Sequence, residues 1–382
     1  MSGQLLDGPH GAPIYRIGDS GEAVAEIIGK LQRLGLLEPG SHDVYDEATA
    51  HAVRGFQQQR GLMIDGIVGP QTYRAIDDAR WRLGDRLLTY VVSHPLTGDD
   101  VVTLQSKLQE LGFAVARVDG IFGADTQRAV TEFQRNMGLP SDGTCGPSTF
   151  KALQRIRPMA TGGRPDALRA SEAVRAAGPR LSGKTVVIDP GHGGFDYGWE
   201  GYGLRESDVA YDLASRIEGR LGATGVRAYL SRGRDQGPDE LARAAFANET
   251  DANLCVSLHT DGSMNPLAQG VATYYYGADL HGASSSVGEQ FAGLVQREVV
   301  ARTDLLNCRT HAKTWDLLRR TKMPAVRLEI GYVTNRHDAS RLADAAFRDV
   351  IAEAIVVAIQ RVYLPPEQDA ATGMLRFGQL TV

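Results

Sequence analysis

The first half of the chain repeats itself at a fixed offset of 77 residues, so it must contain one folding unit used twice. Lys30-Leu31-Gln32 and Leu34-Gly35 return as Lys107-Leu108-Gln109 and Leu111-Gly112. Val53, Phe56 and Gln57 return as Val130, Phe133 and Gln134. Gly61-Leu62, Asp65-Gly66, Gly69-Pro70 and Thr72 return as Gly138-Leu139, Asp142-Gly143, Gly146-Pro147 and Thr149. Within each copy the apolar residues Val24, Ile27, Ile28 and Leu31, or Val101, Leu104 and Leu108, step by three and four, which places them on one helix face. That helix is expected to end at Gly35 or Gly112. A second is expected from about Thr49 to Arg60 and from Thr126 to Met137, with the aromatic of the F-Q pair inward. Asp-Gly and Gly-Pro turns then lead into a third short helix near Pro70 or Pro147. Residues 15–80 and 94–155 are thus read as two small three-helix domains.

Past residue 155 the pattern changes. Residues 156–183 are rich in Ala, Arg, Gly and Pro and lack a steady period, as a linker does, with one short helix expected around Ala167 to Ala177. From residue 184 to 363 short apolar runs alternate with amphipathic stretches. Thr185–Ile188, Leu254–Leu258 and Ala325–Leu328 read as buried strands. Val209, Leu213, Ile217 and Leu221 lie on one helix face, another helix opens at Ser286 with Glu289 as a capping box, and a last one runs through Phe347, Ile351, Ile355 and Ile359. Such alternation predicts an α/β domain with a mostly parallel sheet covered by helices. Pro365-Pro366 should stop the last helix, leaving residues 364–382 as a flexible tail with two threonines, Thr372 and Thr381.

At 382 residues several cores are expected, and 42% apolar with 23% charged residues is an ordinary globular balance. A net charge of -5 supplies no basic field for nucleic acid. Cys145, Cys255 and Cys308 are odd in number and widely spaced, as small buried apolar side chains are. No apolar run reaches a membrane span, and the first residues lack the basic and apolar regions of a secretory leader. The location expected on that ground is the cytoplasm, or the cell wall if the chain is exported by another route.

Chemistry gathers at three strand ends. Asp189-Pro190-Gly191-His192-Gly193-Gly194 breaks one strand into a glycine-rich turn bearing a histidine. Ser257-Leu258-His259 ends another strand on a second histidine, and Gly203-Leu204-Arg205-Glu206 sets a carboxylate just before a helix. Two imidazoles and a carboxylate suit a catalytic zinc, which takes three protein ligands and leaves a fourth position for water. The order D-P-G-H-G-G, G-L-R-E, S-L-H and Glu329-Ile330-Gly331-Tyr332 with Thr334-Asn335 is similar to that of zinc-dependent N-acetylmuramoyl-L-alanine amidases of the AmiC/CwlV type. The repeats, with Val118-Asp119-Gly120-Ile121-Phe122-Gly123 in the second, resemble peptidoglycan-binding domains. The whole arrangement resembles an actinobacterial group of these amidases. In the first repeat Ser41-His42-Asp43-Val44-Tyr45-Asp46 departs from the loop motif, and in both copies the repeated residues also suit a purely structural role.

The resemblance implies one zinc ion on His192, Glu206 and His259, with Glu329 as the catalytic carboxylate. It also implies hydrolysis of the amide between N-acetylmuramic acid and L-alanine of the stem peptide, with peptidoglycan or muropeptide precursors as partners. Arg232 and Asn248 are candidates for shaping the substrate site, Arg232 equally for a surface charge; Glu206 equally suits a helix N-terminus. The other histidines, His42, His51, His94, His281, His311 and His337, read as structural. Bulky residues beside the first ligand, Tyr197 and Trp199, and Arg327 in place of an apolar strand residue, depart from the family pattern. A second reading therefore stands beside the hydrolase: a cytoplasmic regulator of peptidoglycan synthesis that keeps the amidase fold. Phosphorylation of Thr381 or Thr372 would then present the tail to a phosphothreonine-binding or cell-wall synthesis protein.

Overall fold

The computed structural model describes residues 13–40, 44–156, 165–278 and 283–365. His42, His281, Thr372 and Thr381 lie outside them. The chain divides into two compact units near residue 170.

The first unit holds the two repeats, α1 (Glu22–Arg33), α2 (Glu47–Arg60) and α3 (Pro70–Ala79), then α4 (Asp99–Glu110), α5 (Ala124–Asn136) and α6 (Pro147–Arg155). Each has its own core, around Ile27, Leu31, Phe56 and Ile76 in one and Leu104, Leu108, Phe122 and Phe133 in the other. The second helices begin two residues ahead of the expected threonines, because Asp46 caps α2 through the Thr49 N–H at 2.8 Å and Gly123 opens α5. Arg60 joins the repeats through two 2.7 Å bonds to Asp99.

The repeated glutamines explain why the pattern recurs. Gln134 reaches Asp142 Oδ1 (2.7 Å), the Thr144 carbonyl (3.0 Å) and Thr149 Oγ1 (3.0 Å) through Nε2, and accepts from the Gly143 N–H (2.9 Å). Gln57 does the same to Asp65, Gly66, Ile67 and Thr72. A third such clamp, Gln105 on Asp119, Gly120, Ile121 and Thr126, is specific to the second repeat. Its counterpart in the first is the apolar Ile28, and there Tyr45 takes the place of Phe122 and donates its hydroxyl to the Gly66 carbonyl at 2.8 Å. These side chains are buried and spend their polar atoms on their own turns, as buried amides must.

After α7 (Pro165–Ala176) the second unit follows, with β1 (Thr185–Pro190), β2 (Glu200–Gly201), β3 (Leu204–Arg205), α8 (Glu206–Gly222), β4 (Arg227–Leu230), α9 (Glu240–Glu249), β5 (Leu254–Asp261) and β6 (Val271–Ala278). β7 (Ala283–Ser284), α10 (Ser286–Arg302), β8 (Asn307–Lys313), α11 (Asp316–Arg320), β9 (Ala325–Tyr332), α12 (Arg336–Ala343) and α13 (Ala345–Tyr363) complete it. Among the described residues one sheet has the order β4-β1-β5-β9-β6-β7, with β8 beside β6; β2 and β3 form a separate hairpin. β4, β1, β5 and β9 are mutually parallel, and β6 runs antiparallel to β9.

The two faces of the sheet differ by the strand period of two. Val186, Ile188, Leu254, Val256, Leu258, Val326, Leu328 and Ile330 pack under α8, α10 and α13. Val187, Cys255 and Ala325 lie on the other face, under α9 and α11. Parity therefore also sends Asp189, Ser257, His259, Arg327 and Glu329 to that second face. No helix among the described residues is long and apolar enough to cross a membrane.

Two expectations are corrected. The N-cap of α10 is Ser285, whose Oγ accepts from the Gly288 N–H at 3.1 Å, so Glu289 falls one residue beyond the capping-box position. Cys145 and Cys255 are buried, but Cys308 lies half-buried on β8, a strand hydrogen-bonded only to β6 among the described strands.

Candidate metal centre

The carboxyl ends of β1 and β5 lie side by side, Pro190 opposite Leu258, and the Gly191 N–H donates to the Leu258 carbonyl at 2.8 Å. His192 and His259 leave these two strand ends together. Gly191 is required there: a Cβ on it would stand 2.2 Å from Cε1 of His259. His192 itself sits at a φ of 55°, a left-handed conformation that costs a residue with a side chain and is held here by its surroundings. The third group arrives from the hairpin of β2 and β3. Glu206, first residue of α8, exchanges backbone and side-chain bonds with Trp199 (2.9 and 3.0 Å). Gly198, at a φ of 65°, lets the loop pass where a Cβ would meet Glu206 Oε2 at 2.5 Å and His192 Cδ2 at 2.7 Å.

His192 Nε2 lies 3.1 Å and His259 Nδ1 2.8 Å from Glu206 Oε1, and the donor atoms of the three residues all fall within 4.8 Å of one another. Asp196 Oδ2 stands 2.8 Å from His192 Nδ1, the carboxylate-imidazole contact that fixes a ligand's tautomer and ring plane. Burial works against a charged His192, but hydrogen bonds to Asp196 and Glu206 carry its pKa up to about 9. Burial, with Arg327 nearby, pushes His259 down to about 3. Glu206 is almost wholly buried, yet its bonds to both imidazoles hold it well below the usual carboxylate range. A buried anion between two imidazoles, one neutral and one carrying a proton that a cation would displace, is a donor set that fits a divalent metal.

Glu329 stands on β9 directly opposite His259 in the β5–β9 register. Burial raises its pKa to about 7, Arg327 opposing and the Glu206 and Asp261 charges assisting. Beneath these residues lies a scaffold that the sequence did not reveal. Asp189 is buried and bonded to Arg243 (2.8 Å), Ser257 (2.6 Å) and the Ser231 hydroxyl. Arg243 also grips the carbonyls of Pro190 and His192, both at 2.6 Å. The signal for this was an aspartate inside an apolar strand; nothing pointed to Arg243.

Arg232 is no surface charge. Only 3% exposed, it donates to the carbonyls of Pro190, Gly191, Ser207, Gly233 and Arg234, bracing the His192 turn from within. Asn248 lies elsewhere, tying α9 to the end of α11 through the Arg320 carbonyl and the Lys322 N–H. Neither side chain joins the group of His192, Glu206 and His259. His51 and His94 are exposed, while His311 and His337 bond locally to the Cys308 carbonyl and Asp338. The bulky neighbours of His192, namely Phe195, Tyr197 and Trp199, are exposed on the rim of the same loop.

Comparison with known proteins places this geometry in a family. The N-acetylmuramoyl-L-alanine amidase model matches residues 186–361, and the peptidoglycan binding domain model matches residues 20–76 and 97–153. N-acetylmuramoyl-L-alanine amidase CwlM of Mycobacterium tuberculosis is 45% identical over 379 residues, covering 96% of this chain and 93% of that protein. N-acetylmuramoyl-L-alanine amidase LytC of Bacillus subtilis is 32% identical over 173 residues, covering 45% of this chain and 34% of LytC. Among solved structures, amidase AmiC2 of Nostoc punctiforme is 34% identical, covers 47% of this chain and 97% of its own, and superposes with a TM-score of 0.44. With a relative this similar along nearly its whole length, the chain belongs to the N-acetylmuramoyl-L-alanine amidase family, with two peptidoglycan-binding-type domains ahead of the amidase domain.

Proposed function

We propose that the chain is a zinc-dependent amidase that hydrolyses the bond between the lactyl group of N-acetylmuramic acid and L-alanine of the peptidoglycan stem peptide. The observation that carries this reading is the convergence of His192, Glu206 and His259 beside Glu329, at the carboxyl ends of three adjacent parallel strands. The two imidazoles and the carboxylate would hold one zinc ion and leave a position open. The chemistry zinc supplies there is Lewis acidity, polarising the scissile carbonyl and lowering the pKa of a water to about 7.

The chain's own residues do the rest. Asp196 holds His192 by Nδ1 and so keeps Nε2 turned toward Glu206, where a bound zinc would meet it, and Arg243 and Arg232 hold the backbone of that turn. Glu329 takes the proton of the attacking water and returns it to the departing alanine nitrogen. A carboxylate with a pKa near neutral is matched to both halves of that transfer, since it binds and releases a proton at similar cost. The peptidoglycan-type repeats fit a substrate of the cell wall. Their Gln, Asp and Thr residues are engaged in their own turns, so glycan contacts would come from other side chains.

The test is to incubate the zinc-loaded chain with muropeptides and follow release of free stem peptide by mass spectrometry. Glu329→Gln should keep the zinc and the fold and lose turnover by about 100-fold or more, because an amide is no proton acceptor of comparable strength. Undiminished hydrolysis by that variant removes Glu329 from the mechanism.

A further inference from the structure

Glu329 is held by a neighbour on its own strand. Arg327 precedes it by two residues on the same face of β9 and places Nε at 2.8 Å and Nη2 at 2.7 Å from the same carboxylate oxygen, Oε1. The guanidinium is fixed on its other sides. Its Cζ lies 4.4 Å from the centre of the Trp315 ring, and Nη1 lies 3.3 Å from Glu240 Oε1. Glu240 opens α9 and also accepts from the Leu317 N–H of α11 at 3.3 Å, so the row Glu240, Arg327, Glu329 is tied to both helices that cover this face. Tyr274, opposite Arg327 on β6, packs on Trp315 at 4.7 Å and so backs the ring that holds the guanidinium.

A glutamate side chain turns about three bonds, and a general base must lie within hydrogen-bond reach of the proton it takes. Two donors from one planar, immobilised guanidinium onto one oxygen remove most of that freedom. Both go to Oε1, so Oε2 is the oxygen left to face the water. From this geometry we infer that Arg327 is a positioning residue for amide hydrolysis, acting through Glu329, and that Glu240 and Trp315 hold Arg327 in place. The inference rests on the amidase reading above. It also accounts for a charged residue within a strand whose other members are almost all apolar.

The experiment uses the full-length zinc-loaded chain and a muramyl-L-alanyl peptide, comparing Arg327→Met, Arg327→Lys and Glu240→Gln. Arg327→Met should lower kcat by about 10- to 100-fold while KM stays within about twofold, the pattern of a misplaced group rather than a lost binding contact. Zinc content should stay at the wild-type level. Arg327→Lys should recover part of the loss, because it restores one donor, and Glu240→Gln should show a smaller fall of the same kind. If Arg327→Met does not fold, the Glu240→Gln result decides. Equal or higher kcat in the methionine variant overturns the inference and makes the ion pair a restraint on the base. Absence of turnover in the wild type would instead count against the amidase reading. Crystal structures then test the positioning separately: Glu329 should keep one carboxylate orientation in the wild type and lose it in Arg327→Met. An identical orientation in both refutes the inference.

Discussion

Replacing Arg243 by methionine removes the cation from a buried pair and keeps most of the volume. Asp189 is 1% and Arg243 5% exposed, so little solvent screening discounts their attraction. Although burial raises the Asp189 carboxyl, Arg243 and the two serine hydroxyls bring it down from 3.8 to about 2. That difference corresponds to about 2.5 kcal/mol of stabilisation at neutral pH. Leaving the carboxylate buried without its partner costs about 3–5 kcal/mol in comparable sites, and the serines that remain argue for the lower end. Loss of about 3 kcal/mol from the α/β unit is therefore expected near pH 7. The sign with pH follows. A carboxyl depressed in the folded state contributes stability that is present above its unfolded pKa and is lost as pH falls toward about 2. In the variant, burial without the cation raises the Asp189 pKa, so acid relieves the variant while it weakens the parent, and the gap narrows as pH falls from that raised value toward about 2. Urea denaturation followed by tryptophan fluorescence in a Trp81→Phe background reads this unit alone, since Trp199 and Trp315 both lie in it. A gap below about 1 kcal/mol at pH 7, or one that does not change with pH, would refute the reasoning. The carbonyl of His192 also loses its donor, so zinc affinity should fall by about 10- to 100-fold in the same variant.

His259→Ala should abolish stoichiometric zinc in metal analysis of the dialysed protein, because a three-ligand site loses a third of its donors; full occupancy would dismiss the assignment. Gln134→Ala leaves the Gly143 N–H of the second repeat without its acceptor and takes away the amide donor to Thr149 Oγ1 and the Thr144 carbonyl. It should destabilise that repeat by about 2–3 kcal/mol in urea titrations while leaving zinc content untouched; a neutral effect would mean that the clamp does not hold the turn.

Much of this site could be read from the chain, for a reason particular to strands. Asp189, Ser257, His259, Arg327 and Glu329 interrupt runs of apolar residues, and each alternates with side chains that need a core, Ile188, Leu258 and Leu328 among them. A polar residue at such a place must find a partner or a ligand, which is why His192, His259 and Glu329 stood out and why the resemblance could rest on them. The sequence does not contain strand order. No local pattern states that β5 lies between β1 and β9, and until it does Ser257 has no visible tie to Asp189, nor Glu329 to His259. Arg232 and Asn248 show the same limit from the other side. They lie near the motifs in sequence, yet their donors are spent on carbonyls that only the folded chain brings to them, at Gly191 and Ser207 for one and Arg320 for the other. Arg243 has no motif at all, because three of its four acceptors, Asp189, Pro190 and His192, lie more than fifty residues away, and only Asp189 among the four offers a side chain. Residue type thus marks where chemistry is needed, and only the packing of strands and helices decides which neighbour supplies it. Arg327 stands between the two cases: its partner Glu329 is two residues away on the same face by simple alternation, while the Trp315 ring and Glu240 that give the pair a fixed geometry come from separate elements.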